Sequence, residues 1–467
     1  MTNPAPSHKE MPSLKKTAIR ATVWTIAGFG ASQILRFGSN LILTRLLFPE
    51  LFGLMALVGT FLTGLHLFSD LGLNASIVQS KRGDDPVFLN TAWTLQIVRG
   101  AFLWLCCIGI AYPAAQYYNE PKLLWLLPLV GVDTLISGFN STSLSTLNRH
   151  LSLKSLSLFE LSGQLVGLTV TLLWAWLHPS ILALIGGGLA SSVFRLVQSH
   201  RLNDGKRNHL FWDRSAIKEL ISFGKWVFLS TAIYFLSSST DRLILGKLIS
   251  LQLLGVYTIA LTLSDVPRQV VFAVATKVIY PAYSKLVDLP RSEFRAKIIQ
   301  HRQPMLILSA IATASIVGLG DLVIGLLYDD RYTAATWMFP MLAIGMWPLI
   351  LIQTIDQGLW ALGKPNYWTF GSFLSFLCYA IGIPLGYNSP LHEVGAVLAV
   401  AVSNIPIWFV VMYGLWHEKL LALRQDLLMT ALFLAVLSLV IAIRVSTGFG
   451  TPFDALLSAS HEQAMRL

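Results

Sequence analysis

Arginine is the side chain to start from, because it stays protonated in essentially any environment. An apolar segment that carries one must therefore find it an anion. Arg36 and Arg99 each lie well inside long apolar runs. A charged side chain at the centre of a bilayer costs at least about 2.5–3.5 kcal/mol on insertion scales, so such groups face a bundle interior or a water-filled cavity. Gln33, Arg36 and Asn40 are spaced three and four apart and share one helix face, as do Thr63, His66 and Asp70. Later in the chain, Thr231, Tyr234, Ser238 and Asp241 run beside Arg242, and Thr258, Thr262, Asp265 and Gln269 run beside Arg268. The guanidinium is a planar fork that matches two phosphate or carboxylate oxygens at once. Arg36, Arg99, Arg242 and Arg268 outnumber Asp70, Asp241 and Asp265 by one, which points to an anionic ligand. Each residue also has a plainer reading. Arg242 fits a snorkelling residue at a helix end. Asp265 and Arg268 are spaced to neutralise each other. His66 alone would be an ordinary buried histidine, and Asp133, Glu160, Asp321 and Asp356 fit inter-helix ion pairs or helix caps.

The elements that must position these side chains are membrane-spanning helices. Of 467 residues, 54% are hydrophobic and 12% charged, and the mean hydropathy is +0.62. Soluble domains carry about 25% charged residues, so this is an all-α integral membrane protein and not a large soluble core. Apolar runs are expected to span near 18–44, 51–79, 89–112, 122–144, 155–177, 180–199, 217–245, 253–280, 302–328, 334–361, 366–387 and 392–416, with a short thirteenth at 427–444. A β-barrel would need strands of about ten residues with alternating polarity, which these continuous runs are not.

The net charge of +10 would hint at nucleic acid in a soluble protein. Here it reads as loop Lys and Arg that set topology, and no nucleic acid is expected. With the N-terminus inside, 21 Lys and Arg fall on inner segments, Lys81, Arg149 and Arg302 among them, and five on outer turns: Arg45, Lys122, Lys247, Arg331 and Arg444. That bias expects a cytoplasmic N-terminus. Cys106, Cys107 and Cys378 lie in apolar runs, no disulfide framework is implied, and no spacing reads as a metal site. Every loop is short, so no soluble catalytic domain is expected and function must be built inside the bundle. The expected division is a cytoplasmic segment 1–17, a six-helix bundle 18–199, a basic cytoplasmic linker 200–216, a second six-helix bundle 217–416, and an extension 417–467.

Two segments betray duplication. Residues 41–55, LILTRLLFPELFGLM, and 243–257, LILGKLISLQLLGVY, align without a gap at a spacing of 202. Leu51 and Gly53 recur as Leu253 and Gly255, and Arg45 recurs as Lys247. The same spacing pairs Asn40 with Arg242 and His66 with Arg268. Six helices per half give a parallel repeat about an axis along the membrane normal, with the first, second, seventh and eighth helices lining a polar cleft between two pseudo-symmetric bundles.

The stretch RLLFPELFGLMALVGTFLTGLHLFSDLGLNASIVQSK at 45–81 resembles the polysaccharide-transporter branch of the MOP (MATE-like) superfamily, the Wzx-type oligosaccharide flippases. The likeness continues through 147–161, 241–260, 277–286 and 327–343 and covers about residues 17–420. It implies two six-helix bundles around a central cavity. It also implies a substrate on undecaprenyl diphosphate, an O-antigen or exopolysaccharide repeat unit, moved from the cytoplasmic to the periplasmic leaflet of a bacterial inner membrane by alternating access. It implies no cofactor, and coupling to H⁺ or Na⁺. Arg36, Arg99, Arg242, Arg268 and Asn40 are then the candidates for the diphosphate and headgroup, and Asp70, Asp265 and Asp241 for ion coupling. Partners would be the lipid-linked oligosaccharide, membrane lipids, and a polysaccharide polymerase with its export machinery; the protein would not be an enzyme. The rivals are a multidrug antiporter of the same superfamily, whose cavity should be acidic, and a peptidoglycan-precursor flippase. A glycan-ligating membrane enzyme would need an outer loop larger than any here.

Overall fold

The computed structural model describes residues 14–69, 72–150, 152–202 and 208–464, and the described residues are helical throughout, joined by short turns. In hydrocarbon every backbone polar group must be satisfied within its own segment, and long apolar runs therefore fold as helices. We number the long helices α1 (Leu14–Leu46), α2 (Pro49–Phe68), α3 (Pro86–Tyr118), α4 (Leu123–Gly138), α5 (Leu153–Leu177), α6 (Ile181–Arg201), α7 (Arg214–Leu248), α8 (Leu251–Ser264), α9 (Arg291–Leu327), α10 (Ala335–Gln353), α11 (Asn366–Tyr387), α12 (His392–Val402 with Ile405–His417), α13 (Leu423–Ser446) and α14 (Asp454–Ala464). Short helices extend some of them: Leu73–Gln79 follows α2, Ser143–Arg149 follows α4, and Gln357–Ala361 follows α10. Beyond Asp265, α8 bends by 44° and continues to Ser284. Pro267 in the first turn of that continuation cannot donate to the α8 ladder, which is why the chain breaks there.

Nine described helices are long and apolar enough to cross a membrane, and up to eleven if the two bent pairs each count as one. The long helices α1 and α7, which carry the polar faces, are not among the nine. The short thirteenth span expected at 427–444 is a 24-residue helix and is among them.

The sequence repeat is a physical contact. The helices α2 and α8 cross where Gly53 meets Gly255. A Cβ on Gly53 would sit 1.9 Å from the Leu251 carbonyl oxygen, and one on Gly255 would sit 1.9 Å from the Pro49 carbonyl oxygen. Pro49 and Leu251 are themselves 202 residues apart, so each half presents the same glycine to the same carbonyl of the other. Only glycine permits that approach. The recurrence therefore marks the pseudo-two-fold centre of the molecule.

Away from this crossing the two seams between the halves differ. Between α2 and α7 the packing is tight: Gly64 lies under the Phe235 ring, Phe68 meets Phe235 edge-on at 5.3 Å, and Thr231 donates to the Leu67 carbonyl at 2.8 Å. The equivalent seam between α1 and α8 is bridged by polar side chains. Gln33 donates to Gln269 at 2.8 Å, and the Lys277 ammonium lies over an aromatic face, 5.5 Å from the Phe29 ring centre.

Two arginines counted from sequence as loop charges are buried instead. Arg302 on α9 is fully buried and pairs with Asp426 on α13, and it also donates to Thr354 Oγ1 and the Leu351 carbonyl, both at 2.7 Å. Arg444 near the end of α13 pairs with Asp321 on α9 at 2.6 and 2.8 Å. Each sits beside an apolar run, where sequence cannot tell a solvated flank from a paired interior residue. Together they fasten α13 to α9 near both its ends.

Candidate functional site: a cationic cavity beside a charge-balanced one

Ser32 and Arg36 of α1 face a cavity of about 580 Å³ between α1, α5 and α6, lined on another side by Lys277 of the α8 continuation. Among the described residues its cations are Arg36, Arg195 and Lys277 and its carboxylate is Glu160, which pairs with Arg195 at 3.1 Å. Ser32, Gln164 and Ser191 add neutral hydrogen-bonding groups, and Gln164 is tied to α1 because Ser32 donates to it at 2.6 Å. Glycines make the room. A Cβ on Gly187 would sit 1.7 Å from Thr171 Oγ1, so α5 and α6 run in close contact below the cavity. Arg36 and Lys277 are exposed, while Arg195 is half-buried. Three cations against one carboxylate leave two positive charges for an anion.

A different balance holds in the other half. A cavity of about 220 Å³ collects Asp241, Arg242, Asp265, Arg268 and Gln269, faced by Gln353, Ser375, Tyr379 and Asn404 from α10, α11 and α12. Arg268 forks onto Asp265, with its Nη2 2.8 Å from Oδ2. Gln269 also donates to Asp265, at 3.1 Å. Asp241 accepts from the Tyr257 hydroxyl at 2.6 Å, and Arg242 donates weakly to the Ser238 carbonyl at 3.4 Å. Two guanidinium groups thus meet two carboxylates. Gln269 links α1 to this cluster, since it donates to Asp265 and accepts from Gln33 of α1.

The expected arginines therefore do not share one cleft. Arg242 and Arg268 come together with Asp241 and Asp265, Arg36 lies in the cationic cavity, and Arg99 lies in a third, of about 270 Å³, with His66, Asn74 and Gln96. Arg99 donates to Ser69 Oγ at 3.0 Å and to the His66 carbonyl at 2.8 Å, so its guanidinium satisfies the C-terminal end of α2. Asn40 is half-buried on α1 and lines none of these three cavities. Asp70 lies outside the described residues. The i,i+3 spacing of Asp265 and Arg268 produces the pair it allows, and Glu160 and Asp321 pair with cations on neighbouring helices.

Sequence reasoning missed Arg195 and Lys277. Arg195 is a lone cation inside an apolar helix, the same signal that singled out Arg36. Lys277 sits in a π-helical turn, Ala275–Ile279, whose wider pitch alters which face each side chain takes, so its periodicity could not be read from α-helical spacing.

Residues 42–336 match the family described as polysaccharide biosynthesis protein. Among curated proteins the chain is similar to lipopolysaccharide biosynthesis protein WzxC of Escherichia coli (strain K12), 22% identical over 59% of this chain and 56% of that protein. The chain thus spans little more than half the length of that relative. Its fold is similar to lipid II flippase MurJ in an inward closed conformation, with a TM-score of 0.61 at 12% identity over 97% of both chains. It is also similar to an inward-facing multidrug resistance MATE family transporter of the MOP superfamily, with a TM-score of 0.60 at 12% identity over 91% of this chain and 97% of that one. The family match takes in more than half of a chain whose helices pair about the Gly53–Gly255 crossing, and the chain accordingly belongs to the polysaccharide biosynthesis protein family, with the fold of the MOP-superfamily transporters.

Proposed function

We propose that the protein is a flippase for an undecaprenyl-diphosphate-linked oligosaccharide in a bacterial inner membrane, with its N-terminus in the cytoplasm. The observation that carries this reading is the charge of the α1 cavity: Arg36, Arg195 and Lys277 against Glu160. A diphosphate diester carries two negative charges, which match the surplus. The cavity opens beside the α1–α8 seam, where polar side chains replace tight packing. A headgroup can occupy that space while its lipid chain stays in the bilayer. Lysine and arginine also divide the work suitably. Arg36 offers a bidentate fork, and Lys277 a mobile point charge on the element that belongs to the other half.

In alternating access the two halves rock about a fixed region, and the glycine crossing of α2 and α8 is the natural pivot because backbone meets backbone there. Lys277 moves with α8 and Arg36 with α1, so opening the seam separates the two cations and weakens their joint hold on a phosphate. Arg268 is committed to Asp265 in this state. Arg268 and Arg242 become available to the anion only when a carboxylate is discharged, which makes Asp265 and Asp241 the coupling candidates for H⁺ or Na⁺.

The test is surface polysaccharide in a cell whose own copy is deleted and replaced by Arg36→Ala, Lys277→Ala or both. A charge-assisted hydrogen bond is worth about 1.5–3 kcal/mol, so each single change should lower flux on the order of tenfold or more, and the double variant should abolish it. Normal polysaccharide from the double variant would sink the cationic-cavity reading. The multidrug-antiporter alternative is disfavoured because cationic drugs are repelled by this cavity; a deletion strain with altered drug resistance and normal polysaccharide would restore it. Loss of viability on deletion would instead favour a peptidoglycan precursor as the substrate.

A further inference from the structure

Among the described side chains that line the cavities between α7 and α12, one carboxylate has no cation to match it. Around the 220 Å³ cavity Asp241 and Asp265 are matched by Arg242 and Arg268. A second cavity, of about 490 Å³, shares Tyr234, Arg268, Gln353 and Ser372 with the first, so the two adjoin. It adds Asp356, at the turn between α10 and the helix Gln357–Ala361, and no further cation among the described residues. Asp356 is 4% exposed. Its carboxylate accepts from Gln357 Nε2 at 2.9 Å, is also hydrogen-bonded by the Trp360 side chain and the Gln357 backbone N–H, and makes no ion pair among the described residues. The charged group acting on it from α9 is Arg302, which is already paired with Asp426. Tyr234 and Tyr280 face it across the cavity, and Lys277 on the packed α8 continuation turns instead to the Phe29 ring.

Two further polar atoms lack partners here. Gln353 Oε1 and Ser375 Oγ belong to residues 2% and 1% exposed that line these cavities, and neither has a hydrogen-bond partner among the described residues. Buried polar groups are almost always satisfied, by ordered water when protein does not reach them. A roomy polar cavity with such groups is a path that water can fill. An unmatched carboxylate in a low-dielectric interior is discharged most cheaply by taking a proton.

We propose that Asp356 is a proton-binding site of the transport cycle: its carboxylate takes a proton from water in the 490 Å³ cavity and returns it to water there. The proton is linked to the anion in the α1 cavity through the α8 continuation, whose turn Ala275–Ile279 presents Lys277 to one cavity and Thr276 to the other. Neutral Asp356 removes one negative charge from the vicinity of the anion, so proton and anion favour each other's binding, and by reciprocity anion affinity rises as pH falls. This deepens the flippase reading and rests on it for the identity of the anion.

The experiment uses the full chain in nanodiscs and two readouts. The first is the infrared difference spectrum of wild type minus Asp356→Asn between about pH 5 and 9. A carboxylic-acid C=O band that is present at the acid end and fades toward the alkaline end is expected, and Asp356→Glu should shift that band. A difference spectrum with no such band, or with one that never fades, overturns the proposal, as either would make Asp356 a fixed structural group. The second readout is the affinity for a short-chain prenyl-diphosphate N-acetylglucosamine, a diester whose charge does not change in this range. Wild type should bind it more tightly at the acid end by about fivefold or more, the lower part of the range for coupled sites. Asp356→Asn should lose most of that difference. A pH dependence undiminished in Asp356→Asn refutes the linkage. If wild type binds no probe at any pH while the infrared band behaves as described, the flippase reading fails and the proton site stands.

Discussion

The bolt between α9 and α13 gives the sharpest stability test. Arg302 is fully buried, and Asp426 is the anion it meets. Breaking a buried pair by removing one partner costs about 3–5 kcal/mol, because a charge is left uncompensated. In Asp426→Ala the stranded guanidinium keeps Thr354 Oγ1, the Leu351 carbonyl and Gln425 Oε1 as neutral acceptors, so the low end applies. About 3 kcal/mol is a factor on the order of 10² in the unfolding equilibrium. The two singles should not be equal. In Arg302→Met the stranded group is a carboxyl, which can discharge itself with a proton; a guanidinium cannot. Asp426 Oδ2 already lacks a hydrogen-bond partner, so the carboxyl side loses less. Asp426→Ala should therefore be the more damaging at neutral pH. The double change Arg302→Met with Asp426→Leu removes both charges and should recover most of the loss. The assay is reversible unfolding in mixed detergent–SDS micelles followed by circular dichroism. A single variant within about 0.5 kcal/mol of wild type, or a double no better than Asp426→Ala, would refute the argument that burial without a partner sets the cost.

Three further outcomes are expected. Gly53→Val or Gly255→Val should abolish polysaccharide export, because a Cβ at either position lies 1.9 Å from backbone that cannot move aside; export at wild-type level would show that the crossing is not fixed. Arg331 in the turn before α10 donates to the carbonyls of Thr44 and Arg45, each at 3.1 Å, and stacks on Phe48. Arg331→Ala should loosen the α1–α2 turn from the opposite half and raise maleimide labelling of a Phe48→Cys reporter several-fold, and unchanged labelling would count against a clasp there. The ion pair between Glu50 and Lys122, both about half exposed, should matter little: Glu50→Gln is expected to change stability by less than about 1 kcal/mol in the same unfolding assay.

Much of the fold was legible in the sequence because bilayer thickness and backbone hydrogen bonding act on each apolar run separately. Of the thirteen spans expected from run length, nine described helices are long and apolar enough, or up to eleven with the bent pairs, and the polar residues of α1 and α7 follow from spacing. The 202-residue recurrence follows from duplication, and its glycines turn out to be the crossing of α2 and α8. These are local properties, and no neighbour is needed to state them. The pairings are different. Arg36 and Arg99 carry the same signal in sequence, yet one faces an open cationic cavity and the other satisfies the end of α2. Arg302 and Arg444 look like loop charges and are buried in ion pairs whose partners lie more than 120 residues away. Asp356 reads as a helix cap or half of a pair and makes no ion pair among the described residues. Whether a buried charge is held, free to meet an anion or forced to take a proton depends on the group opposite. Only the packing of helices distant in sequence decides what that group is.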